Sequence, residues 1–357
     1  MKEEDAVEEF KVNIAREEEF IQKEDELKKH KITVNHGKLS AIKKTSELLK
    51  TIDLSPSSDE GREEAANAFA DSIEAVKNKL TFLVSAFDAL FYFCRKNIIT
   101  VFAPTGTGKS TLTANIAANV IKQSKNGKGR KVLILSNEER ASDVYARIFC
   151  LLKGYNFNDL ISFTEQQKKE NTEFVKGCKN VLRVIDNNDG FTTTAENLID
   201  ILYRVRDEGH PYDCIIIDYY QAITKSTDYI ENEWQAQEKF LRALDQYKEN
   251  SPAAIVLLAQ INKPRSPTDF NYTDRLQGRK IIGNISTIVL EMSTNYDTFE
   301  TTFYCHKSRF KNGAGKSVRL GWVKGKYVVL DGLEFAMQAA KNKQTAELLK
   351  DLKDEGD

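Results

Sequence analysis

From about residue 81 onward, short apolar runs alternate with amphipathic stretches of helical spacing, the order expected of an α/β sheet. The runs at 98–102, 132–135, 181–185, 214–217 and 255–259 are apolar almost without interruption, which predicts strands buried on both faces. Four later runs, at 288–292, 301–305, 318–322 and 327–330, lie closer together and partly alternate. Their short separations predict antiparallel hairpins at one edge of the sheet. The first eighty residues read differently. Residues 2–29 have helix-forming composition with Val7, Phe10, Ile14, Phe20, Ile21 and Leu27 as their apolar positions, too few for a core and suited to a solvated or partner-seeking helix. A second helical stretch, 38–50, stops before the Ser55-Pro-Ser-Ser58 break, and a third, 59–80, follows with Ser58 as its N-cap. The tail, 341–357, is charged and lacks turn signals, so a frayed helix or disorder is expected. This divides the chain into a charged helical N-terminal region and linker (1–80), an α/β domain (81–335) and a charged tail (336–357).

Composition narrows the class. No run approaches the ~18 apolar residues of a membrane span, and Met1-Lys-Glu-Glu-Asp5 lacks the basic-then-apolar order of a signal peptide. The five cysteines, Cys94, Cys150, Cys178, Cys214 and Cys305, are scattered without a Cys-x-x-Cys pair. That fits reduced core thiols in an intracellular, cytoplasmic protein rather than a metal site or a disulfide framework. The net charge of -1 hides an asymmetry: residues 1–29 hold eleven acidic and six basic side chains, leaving +4 for the remainder. A modest positive balance permits nucleic-acid binding without demanding it.

The chemistry begins at Val101-Phe-Ala-Pro-Thr-Gly-Thr-Gly-Lys-Ser-Thr111, between the apolar run at 98–102 and a helical stretch at 112–121. A strand feeding a glycine-rich turn into a helix N-terminus aims successive backbone N–H groups and the helix dipole at phosphate oxygens. The cradle is Ala103, Pro104, Thr105, Gly106, Thr107, Gly108, Lys109, Ser110 and Thr111. Lys109 reaches the β- and γ-phosphates and Ser110 puts its hydroxyl on Mg²⁺ in such loops. Ala103 stands where the strict motif has its first glycine.

Hydrolysis also needs a carboxylate to support the metal and another to activate water. Tyr212-Asp-Cys-Ile-Ile-Ile-Asp218 is an apolar strand ending in an acid, so Asp218 is expected at the C-terminal edge of the sheet, where open α/β sheets place ligands. Leu133-Ile-Leu-Ser-Asn-Glu-Glu139 is a second such strand; Glu138 is the favoured water-activating group and Glu139 the alternative. A third, Ile255-Val-Leu-Leu-Ala-Gln-Ile-Asn262, ends with an amide. Gln260 can donate to a γ-phosphate oxygen and report phosphate loss.

The order of these motifs resembles that of the DnaB-type replicative ring helicases, whose motor belongs to the RecA-like ATPases. Ala-Pro-Thr-Gly-Thr-Gly-Lys-Ser (103–110) looks like their phosphate loop, and Leu-Ser-Asn-Glu-Glu (135–139) is similar to the segment holding their catalytic glutamate. Ile-Ile-Asp-Tyr-Tyr-Gln (216–221) and Leu-Ala-Gln-Ile-Asn-Lys (258–263) resemble two further strand ends. His-Lys-Ser-Arg-Phe-Lys-Asn-Gly (306–313) resembles their Lys-x-Arg element before a hairpin. The resemblance covers roughly residues 81–335. It implies a RecA-like P-loop ATPase core, a mostly parallel sheet flanked by helices with an antiparallel edge, behind a small helical N-terminal region. It further implies an ATP- and Mg²⁺-dependent helicase acting in DNA replication as a hexameric homo-oligomer, with Lys307 and Arg309 inserted into a neighbour's γ-phosphate site. Single-stranded DNA would pass loops at 224–235 and 264–283, where Arg275, Arg279 and Lys280 suit phosphate contacts that ignore base identity. A primase or loader is the implied partner of residues 1–80.

The chain departs from the family at several places. Gly283-Asn-Ile-Ser-Thr287 replaces the glutamine and acidic residues usual near the end of the second loop, and Ala86-Phe-Asp-Ala-Leu-Phe-Tyr-Phe-Cys-Arg-Lys96 replaces a glycine-rich approach to the phosphate loop. The short front end matches no primase module and suggests a phage or mobile-element version, in a bacterial or phage-infected cell. A RecA-like recombinase or regulatory DNA-dependent ATPase is the alternative. A GTP-dependent switch fits poorly, since Arg265 occupies the base-reading Asp position after Asn262-Lys263. A purely structural nucleotide binder would not need Glu138 and Asp218.

Overall fold

The computed structural model describes residues 60–125, 128–186, 194–209, 212–218, 223, 233–261, 280–309 and 311–330. The helices expected at 2–29 and 38–50, the Ser58 cap and the tail at 341–357 lie outside the described residues. The chain divides into two compact units, Met1–Asp71 and Ser72–Asp357. The described helices are α1 (Glu60–Lys77), α2 (Lys109–Lys122), α3 (Ala141–Lys153), α4 (Glu165–Gly177), α5 (Ala195–Asp207), α6 (Glu233–Asn250) and α7 (Lys280–Ile285). None is long and apolar enough to cross a membrane.

The parallel strands are β1 (Ile98–Ala103), β4 (Val132–Ser136), β5 (Leu182–Ile185), β6 (Cys214–Asp218), β7 (Ala254–Gln260) and β8 (Ile288–Asn295). With β9 (Glu300–Ser308), β10 (Ser317–Val323) and β11 (Lys326–Val329) they form one nine-stranded sheet in the order β11-β10-β9-β8-β1-β7-β6-β4-β5. A small hairpin of β2 (Ser124–Lys125) and β3 (Lys128–Gly129), which the hydrophobic pattern does not signal, stands apart. Every strand expected from the apolar runs is present, with ends shifted by a few residues. Val181, assigned to a strand, instead caps the short 3-10 turn Cys178–Asn180. The antiparallel edge is as its four short-spaced runs predict: β8–β9, β9–β10 and β10–β11 all pair antiparallel, and β8 joins them to the parallel part through β1.

Alternation along the buried strands divides the core into two layers. Ile99, Val101, Ile134, Ile216, Val256 and Leu258 face the helices α2 and α3, whereas Ile98, Phe102, Leu133, Ile217 and Leu257 face α5, α6 and α7. This is why these runs lack polar residues: successive side chains point to opposite faces and both faces are covered. The unusual stretch before β1 has a packing reason of its own. Phe82 meets Phe87, Phe91 and Phe93 edge-on at 5.2–5.5 Å, and Phe87 meets Phe303 on β9 at 5.3 Å. Edge-to-face pairs of this kind add stabilisation beyond their buried area. The five cysteines are free and buried, and burial pushes the Cys94, Cys150, Cys178 and Cys305 thiols up to about 11, as expected of inert core thiols.

Candidate nucleotide site

The loop between β1 and α2 takes the shape its glycines demand. Gly106 and Gly108 have φ of +80° and +93°, the left-handed region where a side chain is strained. Ala103 needs no such freedom, because it is still in the strand, paired with Gln260 of β7. The loop closes on itself through the Pro104 carbonyl, which accepts from Thr107 Oγ1 at 2.6 Å and Lys109 Nζ at 3.2 Å. Helix α2 begins with Gly108 in the N-cap position, without a side-chain cap and without an acid in its first turn. Its leading N–H groups are therefore left for an anion, with Ser110 and Thr111 beside them.

Three outside residues brace this loop. Gln260 Nε2 donates to Thr105 Oγ1 at 2.6 Å, Thr294 Oγ1 donates to the Thr107 carbonyl at 2.9 Å, and Tyr296 OH donates to the Gly106 carbonyl. The last two come from the β8–β9 hairpin, since β8 runs four residues past Glu291, its last residue paired with β1. That overhang is roughly 13 Å at about 3.3 Å per residue, enough to carry the hairpin alongside the loop. Sequence reading missed both residues, because pattern alone does not give strand overhang.

Asp218 ends β6 opposite Ser136 of β4. It is buried, and its Oδ2 accepts from Thr113 Oγ1 at 2.8 Å. Its Oδ1 is buried with no hydrogen-bond partner among the described residues. Burial raises its carboxyl from 3.8 to about 6, opposed by the Thr113 bond, augmented by Glu139 and Glu138, and countered by Lys109. Burial likewise lowers the Lys109 ammonium, while Asp218 and Glu138 raise it. Thr113 was also missed; the signal available was its place one helical turn beyond Ser110.

The two neighbouring glutamates are separated by their surroundings. Glu139 is held: its backbone N–H and carbonyl bond to Ser136 Oγ at 3.2 and 2.7 Å. Its carboxylate pairs with Arg147 at 2.8 Å, and Arg147 in turn lies 4.0 Å over the Phe157 ring. Glu138 is exposed, and its charge acts on Lys109 and Asp218.

Lys307 and Arg309 stand elsewhere. The Arg309 N–H bonds to the Thr287 carbonyl at 3.2 Å and the Thr287 N–H to the Ile98 carbonyl at 2.9 Å, so Arg309 is level with the first residue of β1, whereas the loop follows its last. The difference is roughly 16 Å along the strand, beyond the reach of one arginine side chain. Lys307 Nζ donates to the Gly283 carbonyl at 2.5 Å and Arg309 to the Asn284 carbonyl at 2.7 Å, both in α7. Arg275 and Arg279 lie outside the described residues, as do 219–222 and 224–232; Lys280 opens α7, and its side chain is not described. The candidate residues thus gather as one set of Lys109, Ser110, Glu138, Asp218 and Gln260, and a second of Lys307 and Arg309.

Residues 92–266 match the family model of the AAA domain. No curated protein matches the chain in sequence. Among solved structures, a DnaB-like replicative helicase studied with its primase interactions aligns at a TM-score of 0.55 and 15% identity, covering 82% of this chain and 71% of that one. A second, an ATPase domain, aligns at a TM-score of 0.57 and 14% identity, covering 78% of this chain and all of that one. At such identities the likeness is one of fold. Loop, buried aspartate and sheet order define a RecA-like P-loop ATPase, an ATP-hydrolysing enzyme. More particularly, its fold is similar to that of a DnaB-like replicative helicase, the likeness that the order of motifs implies.

Proposed function

We propose that the protein is the motor of a DnaB-type ring helicase, hydrolysing ATP between subunits to translocate along single-stranded DNA and unwind duplex during replication. The observation that carries this reading is the roughly 16 Å offset between the phosphate loop and Arg309 along β1. An arginine that cannot serve its own loop suits a neighbour's, as in a hexameric ring. The reading includes a cytoplasmic location and a primase or loader recruited through residues 1–80.

In this reading the N–H groups of residues 106–110 and Lys109 hold the phosphates. The donor set fits Mg²⁺: a hydroxyl at Ser110 and, at Asp218, a buried carboxylate oxygen without a hydrogen-bond partner among the described residues, whose ionised form a cation would favour. Mg²⁺ supplies Lewis-acid polarisation of phosphate oxygens when bound. Glu138 accepts the proton of the attacking water, for which an exposed carboxylate is better suited than Glu139, whose charge is engaged by Arg147. Gln260, bonded to Thr105, relays the state of the γ-phosphate to the β7 strand end and to the segment beyond it. Arg275, Arg279 and Lys280 contact DNA phosphates from that segment. Lys307 and Arg309 leave the α7 carbonyls to neutralise charge developing on a neighbour's γ-phosphate, where a trans arginine contributes most.

The decisive experiment is ATP hydrolysis with and without single-stranded DNA over a range of protein concentrations, with Lys109→Ala as the blank. Turnover per chain that rises with concentration and with DNA is expected. Turnover indifferent to both would overturn the interface motor, and DNA-stimulated turnover without strand separation would leave a DNA-dependent ATPase of the recombinase or regulatory kind.

A further inference from the structure

The stretch 283–287, where the chain departs from the ring helicases, forms the end of α7 and its junction with β8. A helix leaves its last four carbonyls without partners of its own. In α7 each of these finds a donor. The Ile282 carbonyl accepts from the Ser286 N–H at 3.0 Å and from Ser286 Oγ at 2.5 Å. The Gly283 carbonyl accepts from Lys307 Nζ at 2.5 Å, the Asn284 carbonyl from the Arg309 guanidinium at 2.7 Å, and the Ile285 carbonyl from Lys248 Nζ at 3.3 Å. Three consecutive carbonyls thus hold three cations, the sign of charge that a helix C-terminus favours.

Two of the three cations belong to the Lys-x-Arg element, and the third does not. Lys248 comes from α6 and is buried; its ammonium is also held by Asp245 at 2.5 Å, with Glu249 3.8 Å away. A buried ammonium fixed on its own helix and bonded to the last carbonyl of α7 pins that end of α7 to α6. A second pin joins it to β1, where Ser286 Oγ lies 2.6 Å from Thr100 Oγ1 and both residues are buried. Lys307 and Arg309, by contrast, reach α7 through long side chains from the end of β9. The order of support follows: α6 and β1 hold α7, and α7 holds the pair. Burial lowers the Lys307 ammonium first, then Arg309 and Lys248 lower it further, which registers how close the three charges lie. Arg309 and Lys248 also line one cavity of about 310 Å³, so there is space beside Arg309 for its side chain to leave Asn284.

We propose that Lys248 is a positioning residue for hydrolysis: by pinning the end of α7 it keeps Lys307 and Arg309 in one defined place, from which they reach a neighbour's γ-phosphate. This rests on the trans reading of Arg309 and adds to it a residue from outside the motif. Lys248 touches no nucleotide and acts only through the α7 carbonyls. Without it the Ile285 carbonyl loses its donor, which is costly for a buried group, and the last turn of α7 loosens. The pair then gains rotamer freedom that it must lose again at the neighbour's phosphate. A displacement of about 1 Å arising far from the chemistry can cost about 10²-fold in rate.

Lys248→Met in the full chain, which keeps an apolar stem and removes the ammonium, tests it. Turnover should fall by about 10–100-fold, with KM for ATP and affinity for ADP within a few-fold of the parent's because the variant's own phosphate loop is untouched. Adding Lys109→Ala chains, which carry Lys248, Lys307 and Arg309 intact, should raise turnover per Lys248→Met chain, as it should per Arg309→Ala chain. Recovery with Arg309→Ala but not with Lys248→Met would overturn the positioning role and leave the trans reading standing, whereas no recovery with either would overturn both. Unchanged turnover in Lys248→Met alone would also overturn the positioning role. If Lys248→Met binds no ADP and so has not folded, Asp245→Asn takes its place. That change loosens Lys248 from a half-exposed carboxylate; a several-fold fall in turnover that Lys109→Ala chains reverse is expected, and unchanged turnover would overturn the proposal.

Discussion

The two edges of one sheet carry opposite chemistry. Where the parallel strands finish, Lys109 faces Asp218 and Glu138, and the loop is tied by the Gln260 amide of β7 and by two hydroxyls from the β8–β9 hairpin. Where they begin, Lys248, Arg309, Arg95 and Lys96 surround a cavity with a single lining carboxylate, and Lys307 and Arg309 rest on backbone carbonyls of α7. The first edge is a nearly balanced electrostatic unit that needs a nucleotide and a cation. The second holds Lys307 and Arg309 on neutral carbonyls, and cations so placed are what a site for someone else's phosphate requires. In the trans reading, one chain therefore holds both halves of a catalytic centre, set too far apart to work on the same ligand.

The sharpest way to break this comparison is to remove the displaced half. Arg309→Ala should lower kcat by about 10³–10⁵-fold, the range for a trans arginine, with nucleotide affinity changed only a few-fold. Mixing Arg309→Ala with Lys109→Ala chains should then restore measurable turnover, since an intact loop and an intact arginine can meet across a boundary. Unchanged turnover in the single variant, or no recovery in the mixture, would return Arg309 to a merely structural latch on Asn284.

At the other edge, the separation of the two glutamates is testable. Glu138→Gln should cost roughly 10²–10⁴-fold in turnover, the usual contribution of a positioned general base, while ATP stays bound. Glu139→Gln, which breaks the Arg147 pair at 2.8 Å, should instead lower thermal stability slightly and leave turnover within several-fold. The reverse pattern would move the water-activating role to Glu139.

Asp218 links the site to stability. Its folded carboxyl sits near 6 against 3.8 in the unfolded chain, so between those values the folded state binds the extra proton. Stability of the nucleotide-free chain is therefore lost, not gained, as pH rises through that window. Asp218→Asn removes the penalty, and above pH 6 it should stabilise the nucleotide-free chain by about 1–3 kcal/mol while abolishing metal-dependent turnover. Denaturant melts of both proteins from pH 4 to 7 check this: the gap should widen up to about pH 6 and then level off, and added Mg²⁺ with nucleotide should close it in the parent protein only. A gap independent of pH would mean that Asp218 is not the group that titrates.

Most of the fold was legible because the parallel strands are buried on both faces and so write uninterrupted apolar runs. The phosphate loop was legible because its geometry needs Gly106 and Gly108. What pattern did not reveal depends on placement in space. Glu138 and Glu139 are adjacent in sequence and chemically identical; only the Arg147 pair and the Ser136 bonds tell them apart. The parallel pairing of β8 with β1 hides because the two strands lie far apart in sequence, whereas the short turn to β9 announces only the antiparallel partner. The cavity behind Arg95 and Lys96 assembles from separate stretches of chain, so it is invisible along the sequence.

The same holds for Tyr296 and Thr294, whose reach to the loop depends on the overhang of β8. Each replaces a water hydrogen bond with one to a loop carbonyl, and the net gain from such an exchange is about 0.5–1.5 kcal/mol. Tyr296→Phe keeps the ring against Trp322, 6.0 Å away, and removes only the hydroxyl; Thr294→Val keeps the shape of the side chain it replaces. Each should weaken ADP binding about 2–10-fold through a less ordered loop, and the pair should be less than additive because both brace the same short turn. Fluorescence titration of ADP into the two single variants and the double variant measures the coupling. Full additivity would show that the loop is rigid without the hairpin, and that the tightly tied edge owes its order to Pro104, Thr107 and Lys109 and to the Gln260 bond at Thr105.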